Sequence, residues 1–139
     1  MSGESSSRVA RTLVSEFIER VWNRADLSAL SELCGPSYTY QLGGQPPRDT
    51  AAMAQFLRAV HAAFPDWRVQ VRTILAEGDS VAVEWYGEVT HKGTFHGIPA
   101  TGNRISVSGI NVYTITDGKI VREREEMDSL GMLQQLGAL

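Results

Sequence analysis

Apolar residues recur at helical spacing along the first half of the chain. Over residues 8–23 they are Val9, Leu13, Val14, Phe17, Ile18, Val21 and Trp22, a broad stripe down one side of a helix. A short second helix holds Leu27, Leu30 and Leu33, with Asp26 placed to cap it and Gly35-Pro36 placed to stop it. Residues 37–42 read as a strand in which Tyr38 and Tyr40 stand one strand period apart and so share a face. A loop over residues 43–47 leads to a third helix that starts at Asp49 or Thr50. It buries Met53, Phe56, Leu57, Val60 and Phe64, and ends at Pro65-Asp66.

From there the period changes from helical to alternating. Residues 67–76 place Val69, Val71, Thr73 and Leu75 on one face, and Glu77-Gly78-Asp79 turns the chain. The next strand sets Val81, Val83, Trp85, Gly87 and Val89 opposite Glu84, Tyr86 and Glu88. A long strand over residues 105–116 and another over 119–127 are joined by the hairpin pair Asp117-Gly118. Asp128 is placed to cap a last short helix reaching Leu136. Residues 1–7 are small and polar and read as a disordered tail, leaving 8–139 as one domain. Helices first and antiparallel strands afterwards predict an α+β fold in which a curved sheet wraps the helices.

The bulk properties narrow the function classes. A chain of 139 residues holds one domain with a real core, and its net charge of −3 with scattered Lys and Arg argues against nucleic acid or an anionic membrane as partner. Cys34 is the one cysteine, so no intrachain disulfide forms. The N-terminus lacks a signal-peptide pattern, and no apolar run approaches the roughly 20 residues that span a bilayer. A soluble, cytoplasmic protein is expected.

The chemistry-bearing residues concentrate late in the chain. Val121, Glu123, Glu125 and Met127 share one face of their strand, and Arg122, Arg124 and Glu126 share the other. A carboxylate on the more apolar face would be desolvated, and Glu123 would repel charge on Glu125. Both effects raise a carboxyl pKa toward the range useful to a general acid or base. The other reading is a solvated charged strand held by cross-strand pairs. Asn111, in line with Val107, Tyr113 and Ile115, either orients a carbonyl or enolate oxygen or is a buried amide satisfied by backbone. Tyr38 and Tyr40 either donate to an oxyanion or cover a core edge. His61, one turn after Leu57, is a candidate proton-transfer group facing a cavity. Phe95 and Ile98, beside Gly97 and Pro99, suit a pocket lip as well as an ordinary turn. His61, His91 and His96 have no metal-ligand spacing, and there is no dinucleotide fingerprint, so no metal or cofactor is expected.

Several segments, taken together and in order, carry a family resemblance. They are Val21-Trp22-Asn23 with Asp26-Leu27, Phe64-Pro65-Asp66, the run Glu77-Gly78-Asp79-Ser80-Val81-Ala82-Val83, the run from Gly93 to Gly102, Asp117-Gly118-Lys119-Ile120, and Gln134-Gln135-Leu136-Gly137. Over residues 9–137 the chain resembles the SnoaL-like polyketide cyclases of the nuclear transport factor 2-like superfamily, which also includes ketosteroid isomerase. The resemblance implies a cone: a strongly bent mixed sheet around N-terminal helices, with a deep apolar pocket. It implies intramolecular aldol ring closure on a polyketide-like intermediate without metal or organic cofactor, although other members open epoxides, isomerise, hydroxylate with partners or perform cycloadditions.

Counted from the Gly118-Lys119-Ile120 turn, the acid/base aspartate of the aldol cyclases falls at Glu125, a neighbouring arginine at Arg124, and a pocket histidine at Asn111. The expected catalytic set is therefore Glu125, Asn111 and Glu123. The expected pocket is Trp22, Tyr38, Tyr40, Phe56, His61, Trp85, Phe95, Ile98 and Met127. A homodimer is expected through the outer sheet face, where Tyr86, Ile110 and Val112 lie. The alternatives are a cyclase driven by shape alone, an epoxide-opening enzyme, and a non-catalytic binding or assembly protein.

Overall fold

The computed structural model of the chain describes residues 3–139, residue 4 by its backbone alone. Helix α1, Gly3–Phe17, begins ahead of the apolar stripe. Its first turn carries no apolar side chain, so hydrophobic spacing does not register it. Residues 3–7 of the expected tail belong to this helix, and residues 1 and 2 lie outside the described residues. Ala10, Val14 and Phe17 form the buried line, while Val9 is 54% exposed. The helix then widens into a π-helical segment, Ile18–Asn23, that buries Ile18, Val21 and Trp22. Asn23 closes it. Its Nδ2 donates to the Val69 carbonyl at 3.0 Å and its Oδ1 accepts the Val69 N–H at 2.8 Å, as a neighbouring peptide would.

Helix α2, Ser28–Leu33, is not capped by Asp26 as expected. The Asp26 carboxylate is engaged by the Ser28 hydroxyl at 2.6 Å and by Arg20 at 3.0 Å. Gly35 and Pro36 do not stop that helix either, because strand β1, Cys34–Leu42, already contains them. They occupy an irregular stretch where the partner register jumps from Cys34–Ile120 to Thr39–Arg122. Helix α3, Thr50–Ala63, starts as predicted, with the Asp49 carboxylate accepting the Ala52 N–H at 2.9 Å.

The remaining strands are β2, Gln70–Glu77; β3, Ser80–Thr90; β4, Arg104–Thr116; and β5, Lys119–Met127. Helix α4, Ser129–Gln135, is capped by Asp128, which accepts the Gly131 N–H at 2.9 Å. Asp117 and Gly118, both at positive φ, make the β4–β5 turn.

The sheet order is β1-β5-β4-β3-β2, with β1 parallel to β5 and every other pair antiparallel. The fold is thus the expected α+β cone, built from an open mixed sheet. Two register skips correct the predicted faces. In β2 a skip between Val71 and Thr73 sends Thr73 and Leu75 outward, and Ile74 and Ala76 pack on the core instead. In β5 the skip opposite Thr114 and Ile115 makes Ile120 the buried residue, while Val121 is half-buried. Beyond that point Glu123 and Glu125 face inward, as the alternation predicts. On the outer face Leu75, Ile110 and Val112 are exposed at 65%, 50% and 41%. Among the described residues no helix is long and apolar enough to cross a membrane.

Candidate active site

Strand β5 lies between β1 and β4, and that position surrounds its two inward carboxylates with donors. Tyr40 on β1 and Tyr113 on β4 flank Glu123, and Leu42 and Asn111 flank Glu125. The Tyr38 hydroxyl donates to Glu123 Oε1 at 2.7 Å, and the Tyr40 hydroxyl donates to Glu125 Oε1 at 2.6 Å. Glu123 Oε2 accepts two further bonds at 2.8 Å, from Trp22 Nε1 and from Asn111 Nδ2. Asn111 Oδ1 in turn accepts Trp85 Nε1 at 2.8 Å. An indole only donates, so Trp85 fixes which way the amide points. Gly109 makes room for this. A Cβ there would lie 2.6 Å from Trp85 Cζ2 and 2.7 Å from the Glu126 carbonyl.

The two carboxylates differ in environment. Glu123 is fully buried. Burial pushes its pKa up, opposed by donors from Tyr38, Trp22, Tyr113 and Asn111. Glu125 is pushed up to about 7, chiefly by burial and further by the charge of Glu123, against the Tyr40 hydroxyl, Asn111 and Arg48. The Tyr40 phenol is itself held far above its usual range by burial and by Glu125, so it remains a donor.

A cavity of about 290 Å³ opens onto Glu125. Its body is apolar, with Trp22, Phe56, Phe64, Trp67, Phe95 and Met127 among its walls, and α4 adds Met132 and Leu133. The exposed residues Gln45, His96 and Ser129 give it a polar rim. Below it a gap of about 10 Å³ is lined by Trp85, Asn111 and Tyr113 and shares Trp22, Trp67 and Glu125 with the larger space. At most one water fits there.

Of the predicted residues, Glu125, Trp22, Phe56, Phe95 and Met127 meet at the cavity, and Asn111 and Trp85 meet at its inner end. Tyr38, Tyr40 and Glu123 line neither space. They form the hydrogen-bonded layer behind it. His61 and Ile98 are absent from both walls. His61 Nε2 bonds the Trp22 carbonyl at 2.8 Å, bracing the π segment rather than facing a ligand. Ile98 exchanges backbone bonds with Phe95 and so fixes the loop that presents the Phe95 ring.

Sequence reasoning missed Phe64, Trp67, Met132 and Leu133 as wall residues. Trp67 lies in the turn after α3, its N–H on the Phe64 carbonyl, rather than on a strand. The Phe64-Pro65-Asp66 helix stop was the available sign that the next residue turns back over α3. His91 is buried against Phe64, and its Nδ1 accepts the Thr101 N–H, a structural role. Among the described residues no group of three His, Cys, Asp or Glu side chains converges as a metal site.

Residues 12–136 match the sequence model of a family described as SnoaL-like polyketide cyclase. A stretch of 47 residues is 47% identical to aklanonic acid methyl ester cyclase DnrD of Streptomyces peucetius, covering 34% of this chain and 32% of that protein, so the match spans about a third of the relative's length. Among solved structures, AclR of Streptomyces galilaeus, a provisionally assigned hydroxylase, superposes with a TM-score of 0.85 at 29% identity, over 96% of this chain and 87% of that one. TsrD of Streptomyces laurentii does so with a TM-score of 0.83 at 28% identity, over 95% and 97%.

Proposed function

Because the chain belongs to the SnoaL-like polyketide cyclase family, we propose that it closes a ring in an apolar polyketide-type intermediate, with Glu125 as general base and then general acid. One observation carries this reading: Glu125 is buried in the wall of an apolar cavity and takes a short hydrogen bond from Tyr40, and that burial pushes its pKa up to about 7. As carboxylate it removes a proton from a carbon flanked by carbonyls. The resulting enolate carbon bonds to a ketone carbon within the same molecule, and the new alkoxide takes the proton back from Glu125. Atoms and electrons balance within the substrate, so the step calls for no metal and no organic cofactor. Glu123 stays engaged by its donors. It orders Trp22, Tyr38 and Asn111 and keeps Glu125 from ionising early.

The test is turnover of aklanonic acid methyl ester, the compound in the name of the curated relative. Glu125→Gln keeps the side-chain volume and removes the titratable proton. The expected loss in kcat is on the order of a hundredfold to ten-thousandfold. Glu126→Gln, on the exposed face of the same strand, is the control and leaves kcat unchanged. Near-native turnover by Glu125→Gln rejects the acid/base role. That result favours the second reading, a cyclase that works by holding a flexible chain in a reactive fold. The largely apolar wall, in which Glu125 is the one carboxyl, supports that alternative.

The reading includes a homodimer joined through the outer sheet face. Its support is the exposed apolar row of Ile110 and Val112 on β4 with Leu75 on β2.

A further inference from the structure

Asn111 is the amide that serves both carboxylates. Its Nδ2 donates to Glu123 Oε2 at 2.8 Å, it stands directly opposite Glu125 in the β4–β5 register, and it also favours the ionised form of Glu125. An amide has two ends, and its oxygen could serve the same carboxyls in the opposite sense, by accepting from a protonated one. Trp85 closes that option. Its Nε1 donates to Asn111 Oδ1 at 2.8 Å, and the two residues are 6% and 3% exposed, so water competes little for either group. The indole is itself confined. Trp85 pairs with Gly109, and a Cβ at that position would lie 2.6 Å from its Cζ2 and 3.0 Å from its Cε2. The ring therefore lies across the glycine two residues before Asn111, with its N–H on the amide oxygen.

We propose that Trp85 is a positioning residue for Glu125: acting through Asn111, it holds the amide so that it donates to the carboxyl pair and does not accept from it. The consequence is one-sided. A donating amide stabilises a carboxylate, while an amide free to turn would offer its oxygen to the acid O–H and stabilise the protonated form instead. Trp85 thereby favours release of the Glu125 proton, which burial and the Glu123 charge oppose. The charged and titratable groups around Glu125 are Glu123 on its own strand, Tyr40 on β1, Tyr113 on β4 and Arg48 ahead of α3, with His96 at the cavity rim. Trp85 adds no charge to this set and acts on it only by fixing a dipole. Its part in ring closure rests on the acid/base reading of Glu125, but its control of the Glu125 proton does not.

The experiment follows the carbon-13 shift of the Glu125 carboxyl carbon with pH, the signal being assigned by its absence in Glu125→Gln. Trp85→Phe keeps an aromatic ring and removes the N–H. Its midpoint should lie above that of the unsubstituted protein by about half to one pH unit, the worth of one net hydrogen bond. The sign is diagnostic, because water admitted by the smaller ring would lower the midpoint by easing desolvation. Trp67→Phe makes the same change in ring size beside Glu125, at an indole whose N–H bonds neither carboxyl nor Asn111, and should not raise the midpoint. On an Asn111→Leu background, Trp85→Phe should have no upward effect, since the dipole it fixes is gone. Three results overturn the proposal: an unchanged or lowered midpoint in Trp85→Phe, an equal rise in Trp67→Phe, or a rise that persists with Asn111→Leu. If Trp85→Phe fails to fold, the unsubstituted protein decides. Its Trp85 indole proton should keep a downfield, hydrogen-bonded shift on both sides of the titration, and an upfield move on the acid side would reveal an amide that turns and overturn the proposal. None of these readouts uses turnover, so a fully active Glu125→Gln enzyme would remove the acid/base step and leave this result standing.

Discussion

The Tyr40 hydroxyl donates to Glu125 across 85 residues of sequence, and Tyr38 repeats the same offset to Glu123. The repetition follows from β1 and β5 running parallel. Two steps along one strand are two steps along the other, so a pair of tyrosines meets a pair of glutamates in register. The two bonds serve different carboxylates. Glu123 is saturated by further donors, while Glu125 takes its short hydrogen bond from Tyr40, with Asn111 the other side chain that favours its ionised form.

Tyr40→Phe should therefore move the acid/base titration without abolishing it. A hydrogen bond to a charged group is worth about 1.5–3 kcal/mol, or about one to two pH units. The hydroxyl favours the ionised form, so its loss raises the Glu125 pKa further above about 7. Turnover requires the carboxylate first, so kcat rises with pH to a plateau above the titration. The Tyr40→Phe profile should lie at higher pH by that amount, with a similar plateau. An unshifted profile would separate Tyr40 from the proton transfer.

Stability should fall as the solution is made more alkaline. The Glu125 carboxyl titrates near 4.5 in an unfolded chain and near 7 in the folded one. Its favourable contribution is complete below the lower value and is lost as pH rises through the upper one, a change of ~3 kcal/mol. Glu123 is raised in the same direction and adds to the trend. Urea midpoints of the native chain and of Glu125→Gln, compared from below 4.5 to above 7, should diverge, the variant losing less. Parallel curves would show Glu125 to be solvated.

Dimerisation through the outer face predicts that Ile110→Lys and Val112→Lys, made together, give a folded monomer. Sedimentation of the native chain at micromolar concentration should read a dimer. A native monomer would leave the apolar row without the partner assigned to it.

Turnover should survive exhaustive dialysis against a chelator and need no added nicotinamide or flavin. The support is the redox-neutral character of the ring closure and the lack of metal-ligand spacing among His61, His91 and His96. Activity lost to the chelator and restored by one metal ion would overturn this.

Most of the fold was legible because its signals are local. Asp49 and Asp128 announce helices by residue type, Asp117-Gly118 announces the hairpin, and alternation alone turns Glu123 and Glu125 inward. The errors fall where a second strand decides. The skips between Val71 and Thr73 and opposite Thr114 and Ile115 are properties of a strand pair, and no single-strand alternation contains them. Gly35-Pro36 read as a helix stop because the pair is common there, yet the pairing with β5 starts one residue earlier. His61 was given the right side of its helix and the wrong partner. A backbone carbonyl freed by the π segment takes its ring nitrogen, and that widening has no residue signature.

That widening constrains the chain by length rather than by residue type. A π segment is an α-helix carrying one extra residue, and one residue is worth about 100° of rotation. Losing a single codon anywhere in residues 18–21 would leave an ordinary helix with nearly the same apolar composition. The loss would take up that extra residue and leave the Trp22 indole near Glu123 and Asn23 near the Val69 peptide, whereas tightening the full-length segment to α geometry would turn both away. Deletion scans should therefore find one lost residue better tolerated here than along α1, while substitutions of the buried Ile18, Val21 and Trp22 should not be.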